Sequence, residues 1–172
     1  GETVKSNGFT YTTNPQIAVL GTNGETVASG EVPSDRKGTD YGPAKVGQTT
    51  RNIFSITNSG DYRLEIGGVT TGGIGASSFQ CSNIPSFISI GGSSNFVVMF
   101  TPLAVGTYTA ALEIAHNSKG TPYVLCVQGV SYATTASSGP SSGGNRLVLT
   151  SGLSFGSSIT NSVVCGVRAV IV

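Results

Sequence analysis

The sequence predicts an all-β protein, a sandwich or barrel with strand extensions at its N- and C-terminal ends. Three observations carry this. Apolar residues alternate with polar ones in short runs along the chain, and no stretch keeps the 3.6-residue period of a helix. The gaps between runs hold Gly, Asn, Pro and Ser, the residues that turns require. Charged residues make up only 10% of the chain, well under the usual quarter or so, while Gly alone numbers 25.

In chain order, strands are expected at 8–12, 16–20, 26–28, 50–57, 63–69, 79–81, 87–90, 95–100, 106–116, 123–130, 146–150 and 162–171. Turn signals such as Asn23-Gly24, Asn58-Ser59-Gly60-Asp61 and Gly91-Gly92-Ser93-Ser94 separate them. Side-chain parity then selects the core. Phe54 and Ile56 share a face, as do Tyr108, Ala110, Leu112 and Ile114, and likewise Tyr123, Leu125 and Val127. Cys126 falls on the opposite face from its neighbours, whereas Cys81 shares parity with Phe79 and should be buried.

This pattern divides the chain into an N-terminal extension (1–14), one sandwich domain (15–131), a Gly/Ser/Thr linker (132–145) and a C-terminal tail (146–172). The tail ends in Val163-Val164-Cys165-Gly166-Val167-Arg168-Ala169-Val170-Ile171-Val172. It is too short to build a core and too apolar to remain in water, so it should add to a sheet, in this molecule or in a neighbour. Gly1 reads either as the residue left by a signal peptidase or as an arbitrary start.

Bulk charge excludes several classes. Nine basic and eight acidic residues give a net charge of +1 with no basic stripe, which argues against nucleic-acid binding. No run of about 20 apolar residues is present, so no helical span is expected. There is no Asn-x-Ser/Thr sequon. The stretch Ala133–Pro140 has the composition either of a plain flexible linker or of an O-glycosylated stalk, with Thr134, Thr135, Ser137 and Ser138 as acceptors. Three cysteines allow one disulfide at most, and none has metal-ligand spacing. Parity disfavours a Cys81–Cys126 bridge, and leaves open a Cys126–Cys165 bridge within or between molecules.

A series of marks then becomes familiar. Pro15-Gln16-Ile17-Ala18-Val19 is followed by Gly24-Glu25-Thr26-Val27-Ala28-Ser29-Gly30 and Thr39-Asp40-Tyr41-Gly42. Phe54-Ser55-Ile56-Thr57-Asn58-Ser59-Gly60, Phe100-Thr101-Pro102 with Gly106, and Ile114-Ala115-His116-Asn117-Ser118 come next. Tyr123-Val124-Leu125-Cys126-Val127-Gln128-Gly129 closes the series. Over about two-thirds of the chain, it resembles the choice-of-anchor D repeat of bacterial surface proteins, a relative of the ASPM–SPD-2–Hydin immunoglobulin-like domains. The resemblance implies an immunoglobulin-like β-sandwich, an extracellular or bacterial cell-surface setting, and no catalytic residues. The marks have structural roles: Asn58 and Gly60 suit a tight turn with an Asx bond, Pro102 ends a strand, and Gly129 permits a bend or close approach. Two departures stand out. Only one copy is present, and residues 1–14 and 132–172 fall outside the pattern.

Little in the chain points to chemistry, and no enzyme activity or cofactor is expected. His116 is the only histidine and reads as a surface turn residue rather than a base. Glu31, Asp35 and Asp40 share a loop that could in principle cage Ca²⁺, but Arg36 and Lys37 lie among them and oppose a cation. Asp61, Arg63 and Glu65 read as a solvated face. Tyr11, Tyr41, Tyr62 and Tyr132 could stack on sugars if exposed, although there is no Trp.

Two functions follow. The first is a structural subunit of an extracellular filament or pilus-like appendage, polymerising head to tail by β-strand donation between copies. The donor would be the tail, with Val163, Cys165, Val167, Ala169 and Ile171 on one face, or the N-terminal segment with Val4, Phe9 and Tyr11. The second is a non-catalytic binding or spacer module of a bacterial adhesin or secreted enzyme.

Overall fold

In the computed structural model, the structure describes residues 3–6, 9–12, 14–120, 122–136, 147–151, 163–164 and 167–168, with side chains for 14–120 and 122–134. The strands are β1 (Thr3–Ser6), β2 (Phe9–Thr12), β3 (Ile17–Leu20), β4 (Thr26–Val27), β5 (Asp40–Lys45), β6 (Thr50–Asn58), β7 (Leu64–Gly72) and β8 (Phe79–Ser82). They continue with β9 (Phe87–Ile88), β10 (Ser93–Phe100), β11 (Gly106–His116), β12 (Tyr123–Ala136), β13 (Leu147–Ser151), β14 (Val163–Val164) and β15 (Val167–Arg168). Among the described residues, the one helical turn is a 3₁₀ segment, Ala76–Ser78.

Two sheets face each other. One has the order β4-β3-β6-β10-β8; the other runs β13-β12-β11-β7-β9, with β5 added to β12 in parallel. β1–β2 and β14–β15 form separate two-stranded ladders. The expected parity holds. Phe54, Ile56, Phe96, Val98, Phe100, Leu112, Ile114, Leu125 and Val127 have no exposed surface, while their odd-and-even neighbours face outward. Burying side chains of this size contributes about 1.5–3 kcal/mol each. The aromatic centre is tight: Phe79 stacks on Phe100 with centroids 4.7 Å apart, and Tyr41 meets both rings. Gly129 lies against this centre. A Cβ there would sit 2.5 Å from the Phe100 ring, which is the close approach expected of that glycine.

The β3–β5 region crosses between the sheets. β3 pairs with β6, then residues 28–31 reach β12, where the Gly30 amide donates to the Val124 carbonyl (2.8 Å). β5 was not expected from the sequence. Its register on β12 slips by one residue, Asp40 opposite Gln128 but Pro43 opposite Val130. Its buried side chains, Tyr41 and Ala44, are therefore three apart, and the alternation that reveals a strand is lost.

Two further expectations are corrected. The linker expected from residue 132 begins later, because β12 runs on to Ala136 and pairs with β13 from Tyr132↔Ser151 to Ala136↔Leu147. Thr134 and Thr135 are thus ladder residues; Ser137 and Ser138 lie outside the described residues. The tail expected as one strand over 162–171 instead reverses: Val163 pairs with Arg168 and Val164 with Val167. Gly166, within that apolar run, is the breaker signal the alternation reading passed over. Val163 and Val167 therefore stand on opposite arms of a ladder rather than along one strand. Cys165, Ala169 and Ile171 lie outside the described residues.

Candidate interaction site: the two ends of the sandwich

The chain enters the sandwich at one end and leaves it at the other. The entry end gathers Asn14–Gln16, the Asn58–Arg63 turn, Ile88–Ser93 and the loop after His116. Asn58 organises it. Its buried Oδ1 accepts from the amides of Gln16 and Gly60 (both 3.1 Å), and its Nδ2 donates to the Tyr62 carbonyl (2.7 Å). The Gly60 bond is the Asx turn read from Asn58-Ser59-Gly60. Ser118 Oγ donates to the Pro15 carbonyl at 2.7 Å, tying the entering chain to the second sheet.

Between these parts opens a cleft of about 510 Å³, lined by Pro15, Gln16, Ile17, Ser29, Lys119 and Tyr123 among others. One wall is a sheet edge. β4 covers β3 only at Val19 and Leu20, and Gln16 and Ala18 turn their main chains to β6. The Ile17 main chain therefore points along the uncovered side of β3. Tyr62, Phe87 and Ile90 are exposed at the same end, with the Arg63 guanidinium 4.8 Å over the Phe87 ring. Arg63 also pairs with Glu65, so the solvated face read there is a charged pair on the surface.

The exit end is more apolar. Ile74 is 98% exposed, Leu103 74% and Val105 38%. Neither of the first two loops is loose. Gly75 donates to the Thr109 carbonyl at 2.9 Å, and a Cβ on it would meet Tyr108 Cβ at 2.9 Å. The Tyr108 hydroxyl donates to the Ala104 carbonyl (2.7 Å), and the Ala104 amide donates back to it (3.2 Å). Ser131 Oγ also donates to the Ala104 carbonyl (2.5 Å) and accepts from the Gly106 amide (3.0 Å). Tyr108 and Ser131 thus hold Leu103 and Ile74 outward, beside the point where β12 leaves.

Other singled-out residues fall elsewhere. Tyr41, expected to be free for stacking, is buried and donates to the Val98 carbonyl (2.8 Å); burial pushes its hydroxyl pKa up. Of the other tyrosines, Tyr62 is exposed and Tyr132 half-buried; the Tyr11 side chain lies outside the described residues. His116, expected on a surface turn, is buried at the end of β11, where its Nδ1 accepts from the Ser118 amide (3.1 Å). Burial lowers its pKa. His116 is the last residue of the strand expected over 106–116 and takes the core parity of Ile114, which the loop-like Asn117-Ser118 sequel conceals.

The three loop carboxylates have separate partners. Glu31 pairs with Lys37 (2.5 Å), and that hydrogen bond, with one from the Ala28 amide, holds its pKa down. Asp35 accepts from the Arg36 amide, and Asp40 from the Gly42 amide and Gln128 Nε2. Among the described residues no three His, Cys, Asp or Glu side chains gather to hold a metal ion. Cys81 and Cys126 are free thiols, both half-buried; burial raises Cys81 to about 11. The Cys126–Cys165 bridge involves a residue outside those described. No described helix is long and apolar enough to cross a membrane.

The profile of the HYDIN/CFA65/VesB-like immunoglobulin-like domain family matches residues 31–130, more than half of the chain. The chain belongs to that family. The matched span runs from the β4–β5 crossing into β12 and so holds most of the sandwich; β3 and β4, and with them the Asn14–Ile17 part of the entry end, lie before it. Similar solved structures include a protein of unknown function from Porphyromonas gingivalis W83, with 22% identity and a TM-score of 0.47 over 53% of this chain and 42% of that one. The ASH/PapD-like domain 7 of human CEP192 has 13% identity and a TM-score of 0.43 over 78% and 96% of the two chains. The VesB protease of Vibrio cholerae has 16% identity and a TM-score of 0.41 over 54% and 29%. The chain thus spans less than half the length of the first of these. No curated protein matches the sequence.

Proposed function

We propose that this HYDIN/CFA65/VesB-like domain is a non-catalytic spacer or binding module of an extracellular, surface-exposed protein. The observation that carries this reading is the path of the chain. It enters at Asn14–Gln16, completes its own two-sheet core, and leaves at Ser131 on the far end. A domain built this way transmits its chain lengthwise and can sit between other parts without opening. The resemblance to choice-of-anchor D repeats supports the cell-surface setting, as does the low charge.

A second reading, a filament subunit polymerising by strand donation, is favoured by the uncovered Ile17 edge beside the entry cleft. A donated strand would add to that edge, because the interior is already filled by β12 on one sheet and β3 on the other. Light scattering and negative-stain microscopy of the full chain test the two. Monodisperse particles of 17.4 kDa support the module, and head-to-tail fibres would replace it with the filament.

A further inference from the structure

We infer that the entry cleft takes the carboxylate end of an extended peptide, whose main chain pairs with Ile17 and whose terminal carboxylate meets Lys119. The inference deepens the binding-module reading and rests on it. Three observations lead there.

The first is an open backbone site at Ile17. Ile17 stands opposite Asn58, but the Asn58 main chain is turned to the β10 side of its strand. Its amide donates to the Gly92 carbonyl, and its carbonyl accepts from the Gly91 amide (both 3.0 Å). The Ile17 amide and carbonyl therefore point away from β6, along the line of β4. β4 stops at Val27, opposite Val19. Ser29 would come next, opposite Ile17, but it turns to the other sheet. There its Oγ accepts from the Val124 amide (2.9 Å), and the Gly30 amide donates to the Val124 carbonyl (2.8 Å). Among the described residues, nothing takes the place that Ser29 leaves opposite Ile17.

The second is that this site is one residue long. On one side Val27 already occupies Val19. On the other, Pro15 has no N–H, and its carbonyl accepts from Ser118 Oγ (2.7 Å). An extended chain running past Ile17 in either direction finds no further main-chain partner. The cleft therefore suits the end of a chain rather than its middle. Its volume of about 510 Å³ falls within the range of about 300–1,000 Å³ that holds small ligands.

The third is charge. Lys119 lines the cleft, and no Asp or Glu does. Among the described residues Lys119 makes no ion pair. The acids on adjoining turns are engaged: Asp61 Oδ1 accepts from the Asn14 amide (2.7 Å), and Glu31 pairs with Lys37 (2.5 Å). Ser29 Oγ accepts from Val124 and keeps its own proton to donate. A donor-rich cleft with one cation selects a carboxylate over an ammonium, so the chain end is the C-terminal one.

The test is an NMR titration of the isotope-labelled full chain with acetyl-pentaalanine, as the free acid and as the amide. Each is taken to on the order of 10 mM, which reaches the millimolar affinity of one short contact. Light scattering on the same sample records its state. The free acid should shift the Ile17, Ser29 and Lys119 amides and bind about five times more tightly than the amide. Lys119→Gln should remove most of that preference. Lys119 is exposed, so the variant keeps the fold, which circular dichroism verifies. In a monodisperse sample, equal affinities for acid and amide would overturn the inference alone. So would shifts confined to other parts of the surface, no shifts at all, or a preference unchanged by Lys119→Gln. Fibres in the sample would instead overturn the module reading, and the inference with it.

Discussion

Replacing Asn58 by Ala should remove about 3 kcal/mol of stability. The figure follows from the geometry. Asn58 is 1% exposed and makes three good hydrogen bonds, from the amides of Gln16 and Gly60 and to the carbonyl of Tyr62. Each contributes about 1 kcal/mol net, and the alanine removes the partner of all three main-chain groups in a part-buried site. Two longer contacts, to Ile88 and Ser89 at 3.3 and 3.4 Å, add little. Urea unfolding followed by circular dichroism gives the difference directly. Hydrogen exchange adds location: the Gln16 and Gly60 amides should exchange faster than those of β11, because the loss falls at the entry end. A difference under about 1 kcal/mol, or uniform exchange, would refute the view that this side chain organises that end.

Three other outcomes follow from the same structure. Gly129→Ala should cost about 2 kcal/mol, since its Cβ would fall 2.5 Å from a Phe100 ring that is stacked on Phe79 and cannot retreat; thermal unfolding checks this. Stability should fall as the pH drops below about 6.5, the ordinary histidine value, because burial lowers the His116 pKa and the unfolded chain then binds the proton more readily. His116→Gln should flatten that slope in urea titrations between pH 5 and 7.5. Cys81, with its thiol raised to about 11 and its side chain packed against the core, should resist Ellman's reagent in the native protein and react on unfolding, as a count of labelled thiols against urea would show.

The sandwich was largely legible in the sequence because alternation reports burial wherever a strand stays in register. β6, β10, β11 and the first half of β12 are such strands, and Phe54, Leu112, Leu125 and Cys126 lie on the faces their parity assigns. Where register slips, the signal fails. The one-residue slip opposite Gln128–Val130 hid β5, and with it the burial of Tyr41. His116 was misplaced because its neighbours look like a turn although its own parity is that of the core. The extension of β12 through Thr134 and Thr135 was hidden by composition, since Ser- and Thr-rich residues serve a ladder as well as a linker. The candidate surfaces were less legible still. Ile74 and Leu103 stand out only once Tyr108 and Ser131 are seen to pin their loops, and these contacts span 4 to 33 positions of sequence. The uncovered edge at Ile17 depends on where β4 stops, which local pattern does not encode.

The central claim is that this sandwich completes its own core and needs no strand from another molecule. Urea unfolding of the full chain and of a version lacking residues 162–172, each over a hundredfold range of protein concentration, tests it most directly. The account predicts one cooperative transition with the same midpoint for both at every concentration. A midpoint that rises with concentration for the full chain and falls when the tail is removed would contradict it, because stability would then come from a strand supplied by a neighbour.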